Sequence, residues 1–248
     1  MAAAEALVAR PIAHRGLHDP GRGVIENTLA AARAALARGC AIECDVQRSA
    51  DGEAVVFHDD TLDRLTTGRG RVDALDLKTL AALPMRGGDE RIPTLRDLTE
   101  VVDGRVPLIV EVKSGFDGDV RLLSRTLEVL AAYRGPVGVK SFDPRIVAEA
   151  RRLAPTLPRG IVAMNEYGWA DHAAMPAAEK HALANLLHFG DTRPDFISWR
   201  VRDLPSAAPF LCRTGLGLPV MAWTVRTPDD RARASANADA MIFEGFLP

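Results

Sequence analysis

The chain has 248 residues, of which 47% are apolar and 26% charged. That balance belongs to a folded globular protein and excludes disordered, collagen-like and coiled-coil classes. The 31 basic and 33 acidic side chains leave a net charge of −2, which argues against a nucleic-acid binder held by bulk charge but not against a small anion held by a few local groups. Aromatics are only 5%, so the core is expected to be aliphatic and alanine-rich. Three cysteines, Cys40, Cys44 and Cys212, form no CxxC pair and read as buried, reduced thiols. No run reaches the ~18 apolar residues of a membrane span. The opening MAAAEALVARP lacks a basic n-region and a cleavage site, so a cytoplasmic protein is expected.

No repeat and no low-complexity linker divides the chain, so residues 1–248 are read as one domain. In chain order, AAAEALVA near the start reads as a helix covering one end of the fold. PIAH (11–14) is the first strand and TLAAARAALARG (28–39) the first long helix, with Asn27 and Thr28 as capping candidates and Gly39 beyond its end. The strands AIECDV (41–46) and EAVVFH (53–58) follow. Residues 60–92 are polar and glycine-rich, with one helical run, DLKTLAAL (76–83), and read as an insertion after the second-strand region. Then come the helix TLRDLTEVV (94–102), strand PLIVEV (107–112), helix DVRLLSRTLEVLAAY (119–133), strand VGVKSF (137–142), helix DPRIVAEARRLA (143–154) and strand GIVAM (160–164). A weaker helix, AAEKHALANLL (177–187), precedes the strands FISW (196–199) and PVMAWTV (219–225), the helix TPDDRARASAN (227–237) and the strand AMIF (240–243). Thr94, Asp143-Pro144 and Thr227-Pro228 are further helix starts.

Continuous aliphatic strands alternating with helices imply a parallel sheet buried on both faces. Eight main strands plus EAVVFH predict a closed TIM (β/α)8 barrel, class α/β. An open doubly wound sheet is the alternative, but His14-Arg15-Gly16 is not the glycine-rich first turn that fold uses.

In a barrel the C-terminal ends of all strands meet at one face. His14 and Arg15 end the first strand. Glu43 and Asp45, two apart, share one face of the second, with Cys44 pointing the other way. His58 ends EAVVFH; Glu111 and Lys113 end PLIVEV. Three carboxylates in one low-dielectric mouth either carry raised pKa values or are neutralised by a cation. An oxygen-only ligand set suits a hard ion, Mg2+ or Ca2+. Arg15 and Lys113 beside such an ion make a positive well for phosphate. His14 and His58 would supply the general acid and base. Together these groups point to cleavage of a phosphoester.

HRG (14–16), ENT (26–28), ECDVQ (43–47), VVFHDDTLDRLTTGRG (55–70), IPTL (92–95), EVK (111–113), SFD (141–143) and AWTV (222–225) together resemble the glycerophosphodiester phosphodiesterase family over residues 11 to 247. The resemblance implies a TIM barrel with a small insert and hydrolysis of a glycerophosphodiester to glycerol 3-phosphate and an alcohol. It also implies acid/base roles for His14 and His58, metal ligation by Glu43, Asp45 and Glu111, and phosphate contacts from Arg15 and Lys113. Glu26 and Asn27 fall in the family's site region and Trp223 in its substrate wall. The expected partner is a small-molecule substrate, with no nucleic acid and no stable membrane insertion; homo-oligomerisation is left open. Hydrolysis of lipid phosphodiesters, in the manner of a lysophospholipase D, is the alternative, and a non-catalytic binding barrel the next.

The chain departs from the family pattern at Ile25, where proline is usual, and at Glu244-Gly245-Phe246, where a Thr-Asp-x-Pro-like turn is usual. Phe246 is expected either over the pocket or plugging the barrel. Lys140 reads as a rim charge, Trp199 as core, and Asp59-Asp60 as residues that shape the insert.

Overall fold

The computed structural model describes residues 2–169 and 172–248. Among the described residues nine strands form: β1 (Ile12–Ala13), β2 (Ala41–Arg48), β3 (Ala54–Val56), β4 (Leu108–Val112), β5 (Val137–Ser141), β6 (Arg159–Ala163), β7 (Phe196–Arg200), β8 (Val220–Val225) and β9 (Ala240–Phe243). Eight are parallel, in the cyclic order β1-β2-β4-β5-β6-β7-β8-β9. Ile12 pairs with Ala41 of β2 on one side and with Ile242 of β9 on the other, which closes the barrel and rules out an open sheet. β3 lies antiparallel on the far end of β2, outside the ring.

The helices are α1 (Ala2–Leu7), α2 (Leu29–Ala37), α3 (Leu77–Ala82), α4 (Leu95–Val102), α5 (Arg121–Ala131), α6 (Pro144–Leu153), α7 (Ala177–Ala184), α8 (Phe189–Thr192), α9 (Ala207–Leu216) and α10 (Pro228–Asn237). Their starts follow local chemistry. Thr94 and Thr227 each close a capping box with an aspartate three residues on, and Asp143 caps α6 ahead of Pro144. α9 was not anticipated, because Pro209 lies within it. A proline in the first turn costs no helical hydrogen bond, since that N–H has no partner there.

Alternation along the strands divides the core in two. Ile42, Cys44, Val46, Val110, Val139 and Trp199 face the helices. Ile12, Ala41, Ile109, Phe196, Met221 and Ile242 fill the lumen, joined by Leu7 of α1. Two lumen glycines make this possible: a Cβ on Gly138 would stand 2.6 Å from Leu7 and one on Gly160 2.1 Å from the Phe196 ring. Thus α1 covers one barrel end, as its composition predicted; Met1 lies outside the described residues.

The insert has its own small core of Leu62, Val72, Leu80, Met85 and Ile92 against Val55 and Phe57. Phe246 takes neither expected place. It stacks on Phe243, on the helix-facing side, beneath Arg231. No helix among the described residues is long and apolar enough to cross a membrane.

Candidate active site

Above the lumen layer, the next inward positions on the same strands are ionisable. His14 follows Ile12 by two, Glu43 follows Ala41, Glu111 follows Ile109, Lys140 follows Gly138, and Glu244 follows Ile242. The register places Asp45 beside Glu111 and Glu111 beside Lys140. After His14 the backbone turns sharply: Arg15 and Gly16 have φ of 56° and 77°. Glycine is required at position 16, where a Cβ would come within 2.8 Å of Ala31. This turn aims the Arg15 N–H at Glu43 Oε2, 3.1 Å away. Asn27, also left-handed (φ 57°), is locked by two bonds to Asp45: its Nδ2 donates to Oδ2 at 2.9 Å, and it accepts from the Asp45 N–H at 3.2 Å. Two non-glycine residues held in this region mark a segment whose surroundings over-determine its shape.

Glu43, Asp45 and Glu111 are all buried, with oxygens within 4.8 Å of one another. Basic side chains share in the neutralisation that the sequence assigned to a cation. Lys113 Nζ bridges Asp45 Oδ1 (2.8 Å) and Glu111 Oε1 (2.6 Å). Lys140 Nζ bridges Glu43 Oε1 (2.9 Å) and Glu111 Oε2 (3.0 Å). Arg15 Nε lies 3.3 Å from Asp45 Oδ2. Three acids thus meet three bases. Burial pushes Glu111 up, but the two ammoniums outweigh it and hold the carboxyl at about 2. Asp45 likewise sits well below the carboxylate range, burial being overcome by Lys113, His58, Arg15 and His14. Lys140 is therefore no rim charge; it stands at the centre of the cluster.

The donor set fits a hard divalent cation. It is all oxygen, buried and convergent, and Glu43 Oε1 lacks a partner in hydrogen-bond geometry, Lys140 being close but misaligned.

The two histidines sit on similar supports. His58 Nδ1 is 2.8 Å from Asp59 Oδ1, and Asp59 is gripped by Arg64 through Nε (2.6 Å) and Nη2 (2.8 Å). Arg64, from the insert, also forks onto Glu26 (3.0 and 2.8 Å), which accepts from Arg15 Nη1 at 2.6 Å. These guanidiniums overcome burial and hold Glu26 at about 2. His14 Nδ1 is 2.5 Å from Glu244 Oε2. Glu244 Oε1 accepts from Arg226 Nε at 2.5 Å, and His18 Nε2 lies 3.7 Å from Oε2. Burial would raise Glu244, yet His14, His18 and Arg226 bring it far below its usual range. In both cases Nδ1 is engaged by a carboxylate, leaving Nε2 as the nitrogen available to a substrate.

Every site residue expected from sequence reaches this mouth. Trp223 stands over the lumen layer, its Nε1 donating to Ser198 O at 3.0 Å. Sequence reading missed the site roles of Glu244, Arg64 and Arg226, and set a rim charge above a site role for Lys140. The signal for Glu244 and Lys140 was present: each lies two residues past a lumen-facing position.

A closed (β/α)8 barrel with carboxylates, basic groups and two histidines at its C-terminal mouth defines a class of enzyme built for phosphate-ester chemistry. The glycerophosphoryl diester phosphodiesterase family model matches residues 14–244. The chain belongs to this family of phosphoric diester hydrolases. It is 34% identical over 161 residues to a glycerophosphodiester phosphodiesterase of Caldanaerobacter subterraneus, an alignment covering 61% of this chain and 65% of that protein. It is 30% identical to the putative glycerophosphodiester phosphodiesterase YhdW of Bacillus subtilis, over 95% of this chain and 92% of the relative. Among solved structures, an Oleispira antarctica phosphodiesterase in complex with its product sn-glycerol 3-phosphate superposes with a TM-score of 0.78 at 25% identity, over 97% of this chain and 94% of that one.

Proposed function

We propose that this barrel, read as one unit over residues 1–248 with the insert at 60–92, hydrolyses a glycerophosphodiester to glycerol 3-phosphate and an alcohol, with His14 and His58 as acid and base. The observation that carries the proposal is the pair of carboxylate-backed histidines beside the Glu43–Asp45–Glu111 cluster, both near enough to act on Asp45. The product complex of the Oleispira relative supports the same reading.

Glu43, Asp45 and Glu111 would hold the divalent cation, Mg2+ or Ca2+, which when bound supplies Lewis-acid polarisation of the phosphoryl oxygens. Arg15 and Lys113 add positive charge where the phosphate sits. One histidine takes the proton from the attacking hydroxyl as the new P–O bond forms; where that hydroxyl is the substrate glycerol's rather than water's, the product is a cyclic phosphate, which water opens in a second step to glycerol 3-phosphate. The other gives its proton to the departing alkoxide as the old P–O bond breaks. Asp59 and Glu244 hold the rings by Nδ1, so that Nε2 exchanges the proton. Asn27 keeps Asp45 in place, and the Arg64–Glu26–Arg15 chain ties the His58 support to the phosphate side.

The test is release of glycerol 3-phosphate from glycerophosphocholine in the presence of Mg2+ or Ca2+. His14→Ala and His58→Ala should each lose at least ~100-fold in turnover, the usual scale for an acid or base. Near-normal turnover in both variants would defeat the mechanism.

A further inference from the structure

The barrel mouth has two unlike halves. β9, β1, β2, β4 and β5 present Glu244, His14, Glu43, Asp45, Glu111 and Lys140. The remaining arc is aromatic. Of the chain's eight Phe, three Trp and two Tyr, five rings gather there. Trp223 on β8 meets Phe142 across the mouth at 5.5 Å, and Trp169, in the loop after β6, meets Trp223 at 5.9 Å and Phe142 at 6.5 Å. Tyr167 and Phe116 pack below, with Met164 and Leu183, around His172. Phe142 is two residues past Lys140, and Phe116 three past Lys113, so this wall begins where the charged cluster ends. Trp169 is 43% exposed, so its ring is open to a ligand at this wall.

We propose that this wall binds the alcohol substituent of the diester and selects one that is neutral and apolar. The proposal rests on the phosphodiesterase reading above. The occupant follows from chemistry: both arms of the diester lie one ester bond from the phosphate, and the glycerol arm with its hydroxyls suits the carboxylate and histidine half, which leaves the aromatic half to the alcohol. The preference for a neutral group follows from charge. Arg200 already stands over the Trp169 ring, 5.9 Å from its centroid, where a ligand cation would otherwise gain. Asp203, an acid at this wall, is engaged by Arg200 at 2.7 and 2.9 Å and by the Asn165 N–H. A trimethylammonium group would therefore meet a guanidinium whose carboxylate is already taken.

The experiment compares kcat/KM for the ethyl, n-hexyl, choline and 3,3-dimethylbutyl esters of glycerol 3-phosphate, the last being the uncharged isostere of choline. A half-exposed wall should contribute about twofold per methylene, half the ~fourfold of complete burial, so the hexyl ester should exceed the ethyl ester by about 15-fold. The dimethylbutyl ester should exceed choline several-fold, and Trp169→Ala should collapse both ratios toward one. A 1-octanoyl glycerophosphocholine, apolar on the glycerol side, should release choline no faster than glycerophosphocholine. A choline preference, faster turnover of the octanoyl ester, or ratios unchanged in Trp169→Ala would each overturn the proposal. Equal turnover of all four esters overturns this proposal alone. Glycerol 3-phosphate from none of them overturns the phosphodiesterase reading as well.

Discussion

Glu244→Gln is the most informative single change in this site. It keeps the side chain's size and one acceptor oxygen but removes the charge that faces His14 at 2.5 Å and Arg226 at 2.5 Å. A hydrogen bond to a charged group is worth roughly 1.5–3 kcal/mol, which converts to about 10- to 150-fold in rate. Glu244 is 21% exposed, so water screens part of this and the lower half of that range is expected. The larger loss of ~10⁴ seen when the buried aspartate of a Ser-His-Asp triad becomes asparagine is the upper bound. The loss should fall on kcat, with KM within twofold, because Glu244 touches the histidine and not the phosphate-side groups. Glu244→Asp keeps the charge and should recover part of the rate. Turnover is read from glycerol 3-phosphate release, with a thermal melt alongside. If Glu244→Gln keeps more than half the wild-type kcat, or if its loss tracks a drop in melting temperature, His14 does not depend on this carboxylate.

Three other outcomes follow from the buried charges. Lys140→Met leaves Glu43 and Glu111 without their shared ammonium; breaking a buried pair costs about 3–5 kcal/mol, so the urea midpoint should fall sharply, with added Ca2+ restoring part of it. Divalent cation at a hundredfold excess over its Kd should raise wild-type stability by about 3 kcal/mol, and this thermal shift should vanish in Asp45→Asn, while chelation should abolish turnover. Glu26, held at about 2 against an ordinary 4.5, contributes stability that is complete above pH 4.5 and lost as the pH falls through 2, worth roughly 3 kcal/mol. Wild type should therefore lose stability over that window and Glu26→Gln should lose less; parallel curves would disprove the linkage.

The parts of the fold that could be read from sequence are those set by local, repeated patterns. Continuous aliphatic strands and proline-marked helix starts placed all nine strands, and the capping residues Thr94, Asp143 and Thr227 behave as their chemistry requires. α9 escaped because Pro209 disguised it. Within the site, His14, Glu43, Asp45 and Glu111 were legible because a two-residue period at a strand end is a statement about facing.

The same two-residue period also reaches Lys140 and Glu244. Lys140 is two past Gly138 and Glu244 two past Ile242. Lys140 has no second charged neighbour on its own strand, and Glu244 stands one past the apolar run of the last strand, so neither is marked out as half of a charged pair. What alternation cannot supply is pairing across the barrel. That Lys113 reaches Asp45 and Lys140 reaches Glu43 and Glu111 depends on which strands are adjacent. Arg64 is less accessible still: it reaches Glu26 and Asp59 from the insert, whose path over the mouth is set by its own small core and not by any period in the chain. A near-neutral total charge is therefore compatible with a mouth in which each buried charge has a designated partner. It also explains why single substitutions there should be felt more in stability and orientation than net charge would suggest.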